Sequence, residues 1–108
     1  KLDDLTTRAR VGKLTVSDVQ SGTFTVNNTG ALGSIASQPL VNYPQAGIIT
    51  TEAIVKRPVV VNDAIAIRSI MNICLSFDHR IIDGEQASGF NRSVKDRLES
   101  LNLNTQIY

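Results

Sequence analysis

Ala64-Ile65-Ala66-Ile67-Arg68-Ser69-Ile70-Met71-Asn72-Ile73-Cys74-Leu75-Ser76-Phe77 runs without a break into Asp78-His79-Arg80-Ile81-Ile82-Asp83-Gly84. In the first part the odd positions Ile65, Ile67, Met71, Ile73, Leu75 and Phe77 are apolar, with Ser69 the exception. The even positions carry Arg68, Asn72 and Ser76 among small residues. Period-two alternation held this long predicts one strand over 64–77 with one buried face. Ahead of it, Val59-Val60-Val61 leads into Asn62-Asp63, a two-residue turn signal, so residues 59–77 read as a hairpin. Behind it, Ala87, Phe90, Val94, Leu98 and Leu101 recur at three- and four-residue steps while Lys95, Asp96, Arg97 and Glu99 face out, which predicts an amphipathic helix. Asp83 stands three residues before Gln86 and suits an N-cap pair, with an anion at the positive end of the helix dipole.

The upstream part is less regular. Leu2, Leu5 and Ala9 fall at helical spacing within residues 1–14, and Gly12-Lys13 is a stop signal. Ser17 with Gln20 has the spacing of a capping box and predicts one further turn. Thr23-Phe24-Thr25-Val26 reads as a strand, followed by a loop over residues 27–34 in which Gly30-Ala31-Leu32-Gly33 makes a tight turn. That glycine pair lacks the spacing of a phosphate loop. Residues 47–56, rich in Ile and Thr, read as another strand, and residues 102–108 as a frayed or docked tail.

Composition removes several function classes. One hundred and eight residues make one domain at most. Eleven basic against ten acidic side chains leave a net charge of +1, which gives no footprint for nucleic acid or for an anionic membrane. A single cysteine excludes an internal disulfide framework, and a single cysteine with a single histidine excludes a zinc site of the usual kind. No apolar run reaches the roughly 20 residues of a membrane helix. The start, Lys1-Leu2-Asp3-Asp4, resembles no signal peptide and lacks an initiator Met, so the chain reads as cut from something longer, with a cytoplasmic location as the default.

His79, the one histidine, sits where the long strand ends and the helix is about to begin. A rigid element there would hold the ring while a loop gives access. An imidazole titrates near pH 6.5 and can take a proton from a thiol or hydroxyl at neutral pH. From the residues alone, a surface histidine hydrogen-bonded to the backbone is the favoured reading. Asp83, four residues on, reads as a helix cap that can also fix the loop carrying His79. Asp78 and Arg80 read as solvated loop charges, and Cys74 as a buried, inert thiol with no cation beside it to lower its pKa. Ser76 either lines the site or is a plain strand serine.

The motifs gain meaning together. Gly22-Thr23-Phe24-Thr25-Val26-Asn27-Asn28-Thr29-Gly30, Pro39-Leu40-Val41-Asn42-Tyr43-Pro44-Gln45-Ala46 and Leu75-Ser76-Phe77-Asp78-His79-Arg80-Ile81-Ile82-Asp83-Gly84 resemble, in order, the catalytic domain of the dihydrolipoamide acyltransferase (E2) component of 2-oxo acid dehydrogenase complexes. That family shares its fold and its His-x-x-x-Asp-Gly motif with chloramphenicol acetyltransferase. The resemblance implies an α+β fold, a mixed β-sheet with helices packed on it, of which residues 1–108 form the C-terminal half. It implies transfer of an acyl group between the dihydrolipoyl-lysine of a lipoyl domain and coenzyme A. His79 would be the general base and Asp83 the residue that holds the loop through an arginine contact; Ser76 could touch coenzyme A. It also implies a homo-oligomer built from trimers with sites between subunits, so that His79 faces the 24–30 segment of a neighbour. The upstream half of the domain, a lipoyl domain and the E1 and E3 dehydrogenase partners would complete the system. A small-molecule acetyltransferase of the same fold, or a catalytically silent assembly fragment, are the alternatives.

The chain departs from the pattern at Asn27, where many relatives carry a Ser or Thr that donates to the oxyanion. The Asn27 carboxamide is a donor too and could serve there, or it could be a turn residue. Asn27 also fits a branched-chain-type subgroup.

Overall fold

The computed structural model describes residues 1–105. Nine elements follow one another: helix α1 (Leu2–Arg10), helix α2 (Val16–Val19), strand β1 (Thr25–Asn28), a short 3-10 turn (Gly30–Leu32), strands β2 (Gly47–Thr51), β3 (Val55–Val61), β4 (Ala64–Ile70) and β5 (Ile73–Phe77), and helix α3 (Gly84–Glu99).

The long run 64–77 is not one strand. It is interrupted at Met71-Asn72, and its two parts belong to different sheets. β4 pairs antiparallel with β3 in a two-stranded hairpin, closed by Asn62 and Asp63 at φ 49° and 61°. Both residues lie in the left-handed region that a type I′ turn demands. β5 pairs antiparallel with β2, and β2 pairs parallel with β1, giving the order β1-β2-β5. Alternation persists through the break because each part is two-faced in its own sheet. The expected burial does not hold along the whole face, since Ile65 and Ile67 on β4 are 82% and 68% exposed.

The small core lies on β2, where Ile48, Ile49 and Thr50 are buried together with Ala87 of α3 and the polar Gln45 and Glu52. Strand register divides the three-stranded sheet into two faces. One carries Val26, Ile49, Leu75 and Phe77; α3 packs on its Phe77 end, where the Phe90 ring lies 5.6 Å from that of Phe24, and leaves Val26 77% exposed. Gly47 makes room there: a Cβ would stand 3.2 Å from the Phe24 ring. The opposite face carries the buried Ile48 between Thr25 and Ser76 and is otherwise polar, with Asn27, Thr50, Glu52 and Cys74. The stretch before β2 covers part of it, with Thr25 Oγ1 bonded to Gln45 Oε1.

Several boundaries differ from the sequence reading. The first strand lies at 25–28 rather than 23–26, so Asn27 and Asn28 are paired to β2 instead of looping. The 47–56 strand breaks at residues 52–54, where Glu52 turns into the interior and β3 starts afresh. The capping box of α2 is Thr15 with Asp18, not Ser17 with Gln20; Asp18 also takes a fork of hydrogen bonds from Arg8, at 2.6 and 2.9 Å, which ties α2 to α1. Residues 102–105 close a turn through Asn102 N to Thr105 Oγ1 at 2.9 Å; the remainder of the expected tail lies outside the described residues. Among the described residues no helix is long and apolar enough to cross a membrane, and no group of acidic, His and Cys side chains could hold a metal ion.

Candidate active site

β5 delivers the loop that holds the histidine. Its last residue, Phe77, pairs with Gly47, and the Asp78 N–H then donates to Ala46 O at 2.9 Å, so the strand is held one residue past its end. The chain turns there: Ile81 N and Ile82 N both donate to Asp78 O at 3.1 Å. Asp83 then caps α3. Its carboxylate accepts from Gln86 N at 2.8 Å, while the Gln86 side chain accepts from Asp83 N at 3.1 Å, the reciprocal pair expected from the sequence. Residues 78–83 are thus tied at both ends.

His79 rides on this turn. It is exposed, with its ring 5.5 Å from that of Phe77, and its side chain makes no hydrogen bond among the described residues. Asp78 and Arg80 do not point separately into solvent. The Arg80 guanidinium grips the Asp78 carboxylate, with Nε at 2.9 Å and an Nη at 2.5 Å, and its backbone N–H adds a third donor. These donors hold the Asp78 carboxyl down to about 2. Arg80 therefore stiffens its own turn. Asp83 makes no arginine contact among the described residues, and its observed work is the cap.

Asn27 lies elsewhere. It pairs with Thr50, three residues along β2 from Gly47, and β1 is separated from β5 by the whole width of β2. With a rise of ~3.3 Å per residue and ~4.8 Å between strands, the backbones of Asn27 and Phe77, the last strand residue before the His79 turn, are about 14 Å apart. Within one chain the general-base candidate and the oxyanion-donor candidate do not share a site. Ser76 and Asn27 do share the polar face, on β5 and β1 respectively. Cys74 is half-buried rather than buried and shares a row with Thr50 and Asn27.

Sequence reasoning missed Glu52. It is 3% exposed and accepts from Thr29 Oγ1 at 2.8 Å and Ser37 Oγ at 2.5 Å. Ser37 above all, aided by Ser34, Thr29 and the Cys74 thiol, holds its carboxyl down to about 2 against the opposing effect of burial. The available signal was a lone carboxylate at the end of an apolar, β-branched run.

A family model described as 2-oxoacid dehydrogenases acyltransferase (catalytic domain) matches residues 1–105. The lipoamide acyltransferase component of the branched-chain alpha-keto acid dehydrogenase complex of Bacillus subtilis is 52% identical over 105 residues, covering 96% of this chain and 25% of that protein. The crystal structure of a probable dihydrolipoamide acetyltransferase from Listeria monocytogenes superposes with a TM-score of 0.87 at 47% identity, covering 99% of this chain and 46% of that one. The dihydrolipoamide acetyltransferase of Azotobacter vinelandii, investigated for the roles of one serine, one histidine and one asparagine in its catalytic mechanism, gives 0.83 at 32% identity over 92% of this chain and 41% of its own. The chain therefore spans about a quarter of that curated relative and under half of each of those solved chains. The α+β fold of the chloramphenicol acetyltransferase type expected from the sequence is the fold of these E2 catalytic cores. With its whole described length inside the match, the chain belongs to the catalytic-domain family of the 2-oxoacid dehydrogenase acyltransferases.

Proposed function

We propose that this chain is the C-terminal half of an acyltransferase catalytic domain that moves an acyl group between the dihydrolipoyl-lysine of a lipoyl domain and coenzyme A. Each site would draw His79 from one copy and Asn27 from another. The observation that carries the reading is His79: an exposed imidazole, free of hydrogen bonds among the described residues, on a turn fixed at both ends. Such a ring is open to an arriving thiol, and a thiol near pKa 8.5 is within reach of an imidazole base. His79 takes the proton of the attacking thiol and returns it to the departing one. Asn27 donates its amide N–H to the oxygen that gains charge as the thioester carbon becomes tetrahedral. Ser76, on the same face as Asn27, borders the coenzyme A side.

The separation of His79 and Asn27 within one chain supports a shared site, as does the uncovered apolar face of the β3–β4 hairpin. The serine, histidine and asparagine of the Azotobacter vinelandii enzyme stand in the order and at the separations of Asn27, His79 and Asp83 here. That protein is built with an asparagine at the place of Asp83, and asparagine caps a helix as well as aspartate does. The shared demand at this position is then a cap that steadies the turn, with no need for a charge beside the imidazole. Trimers, the upstream half of the domain and the E1 and E3 dehydrogenases complete the proposed assembly.

Co-expression tests the reading in the full-length protein. His79→Ala and Asn27→Ala are each expected to lower thiol acylation by acyl-CoA, Asn27→Ala by at least roughly tenfold. In a random mixed trimer, about a quarter of the interfaces pair an intact His79 with an intact Asn27, so activity should reappear on mixing. A mixture no faster than its components would place both residues in one chain's site and refute the shared one. Full activity of His79→Ala would refute the acyltransferase mechanism itself.

A further inference from the structure

Among the described residues Glu52 is the one charged side chain that is buried, and no cation accompanies it. A buried carboxylate without a counter-ion is costly unless donors replace its water. Here hydroxyls do so, at the two ends of one segment: Thr29 bonds Oε2 where the segment leaves β1, and Ser37 bonds Oε1 where it moves off. The backbone follows the same path. Thr29 N donates to Thr51 O at 3.1 Å, extending the parallel ladder one residue beyond β1, and Ala53 N donates to Ser34 O at 2.7 Å. Gly30 presses against the Glu52 peptide so closely that a Cβ would stand 2.5 Å from its carbonyl. The carboxylate is the fastener of a clasp that folds residues 29–37 onto the end of β2.

Asn27 is the residue just inside this clasp. The fully buried hydroxyl of Thr50, its neighbour across the ladder, has no hydrogen-bond partner and gives the Asn27 side chain no hold; on the backbone, Thr51 Oγ1 reaches the Asn27 carbonyl at 3.5 Å. Engaged anchors on the same face stand two residues to either side of it along β1, Thr25–Gln45 before it and Thr29–Glu52 after it, and the second of these ends the strand. We propose that Glu52 is a positioning residue for Asn27: through Thr29 and Ser37 its carboxylate fixes the end of β1 and so aims the carboxamide at the developing oxyanion. The inference rests on the reading of Asn27 as the oxyanion donor. Electrostatic stabilisation depends on donors that are already in place, so slackening β1 slows the chemical step more than it weakens substrate binding.

A double-mutant cycle in the full-length, assembled protein decides it. Glu52→Ala should lower kcat by about fivefold with the KM for acyl-CoA within about twofold, and the Asn27→Ala/Glu52→Ala double variant should be no slower than Asn27→Ala. Glu52→Gln, whose amide oxygen still accepts from a hydroxyl, should recover most of kcat. Loss factors that multiply in the double variant, or an assembled Glu52→Ala with unchanged kcat, would overturn the proposal. If Glu52→Ala fails to assemble, Thr29→Val and Ser37→Ala remove one donor each, and their kcat losses must likewise vanish in the Asn27→Ala background. A silent Asn27→Ala refutes the donor reading instead and leaves Glu52 nothing to aim.

Discussion

The turn that carries His79 depends on Asp83, and the dependence can be put in numbers. Asp83→Ala removes the 2.8 Å hydrogen bond to Gln86 N and leaves a helix N–H without its partner. Loss of such a cap costs about 1 kcal/mol, or about a fivefold shift between the closed and frayed first turn of α3. The other end of the turn, at Asp78 O, is untouched, so the effect is a loosening rather than a collapse. Asp83→Asn keeps an acceptor oxygen at the same place and gives up only the attraction of a charge to the helix dipole, roughly 0.3–1 kcal/mol. Urea denaturation and steady-state acylation should therefore rank wild type first, Asp83→Asn close behind it, and Asp83→Ala last, with kcat lowered by at most about fivefold in the alanine variant. An asparagine variant as slow as the alanine one would mean that the carboxylate charge acts on the imidazole, and the capping argument would be wrong.

Gly30→Ala tests the close approach behind β1: its Cβ meets backbone atoms at 2.5 Å that have no rotamer with which to yield, so a loss of about 1–3 kcal/mol is expected in thermal or urea unfolding. Glu52 gives a pH prediction. Its folded-state value, about 2, lies below its ordinary 4.5, so its contribution to stability is fully present above pH 4.5 and is lost as pH falls towards 2. Glu52→Gln should flatten the stability–pH curve across that window, and an unchanged acid limb would contradict the assigned hydrogen bonds.

How far the sequence carried the reading depended on the range of the interaction involved. The Asn62-Asp63 turn and the Asp83–Gln86 cap are settled by neighbours in the chain, and both are present as read. The run 64–77 reads as continuous across its break because alternation records which side is apolar, not which sheet the strand joins. The break at Asn72 is set from afar, by its carbonyl taking Glu52 N at 3.1 Å and its side chain reaching Ile35 O at 2.7 Å. Glu52 escaped for the same reason, since its donors Thr29 and Ser37 come from another part of the sequence. The pair Thr15–Asp18 is equally local, but Ser17–Gln20 has the same spacing two residues along, and spacing alone does not choose between them. The distance between Asn27 and His79 follows only from strand order, and no local pattern contains it.

Among the described residues β2 is the strand bonded on both sides, whereas the β3–β4 hairpin pairs only with itself. Resistance to solvent deuterium should follow that division, with the amides of Ile48–Thr51 exchanging last and those of the hairpin well before them. The ladders that lead to His79 and to Asn27 both spring from β2. The arm can therefore open and close on its own clock while the spine from which His79 and Asn27 are hung stays shut.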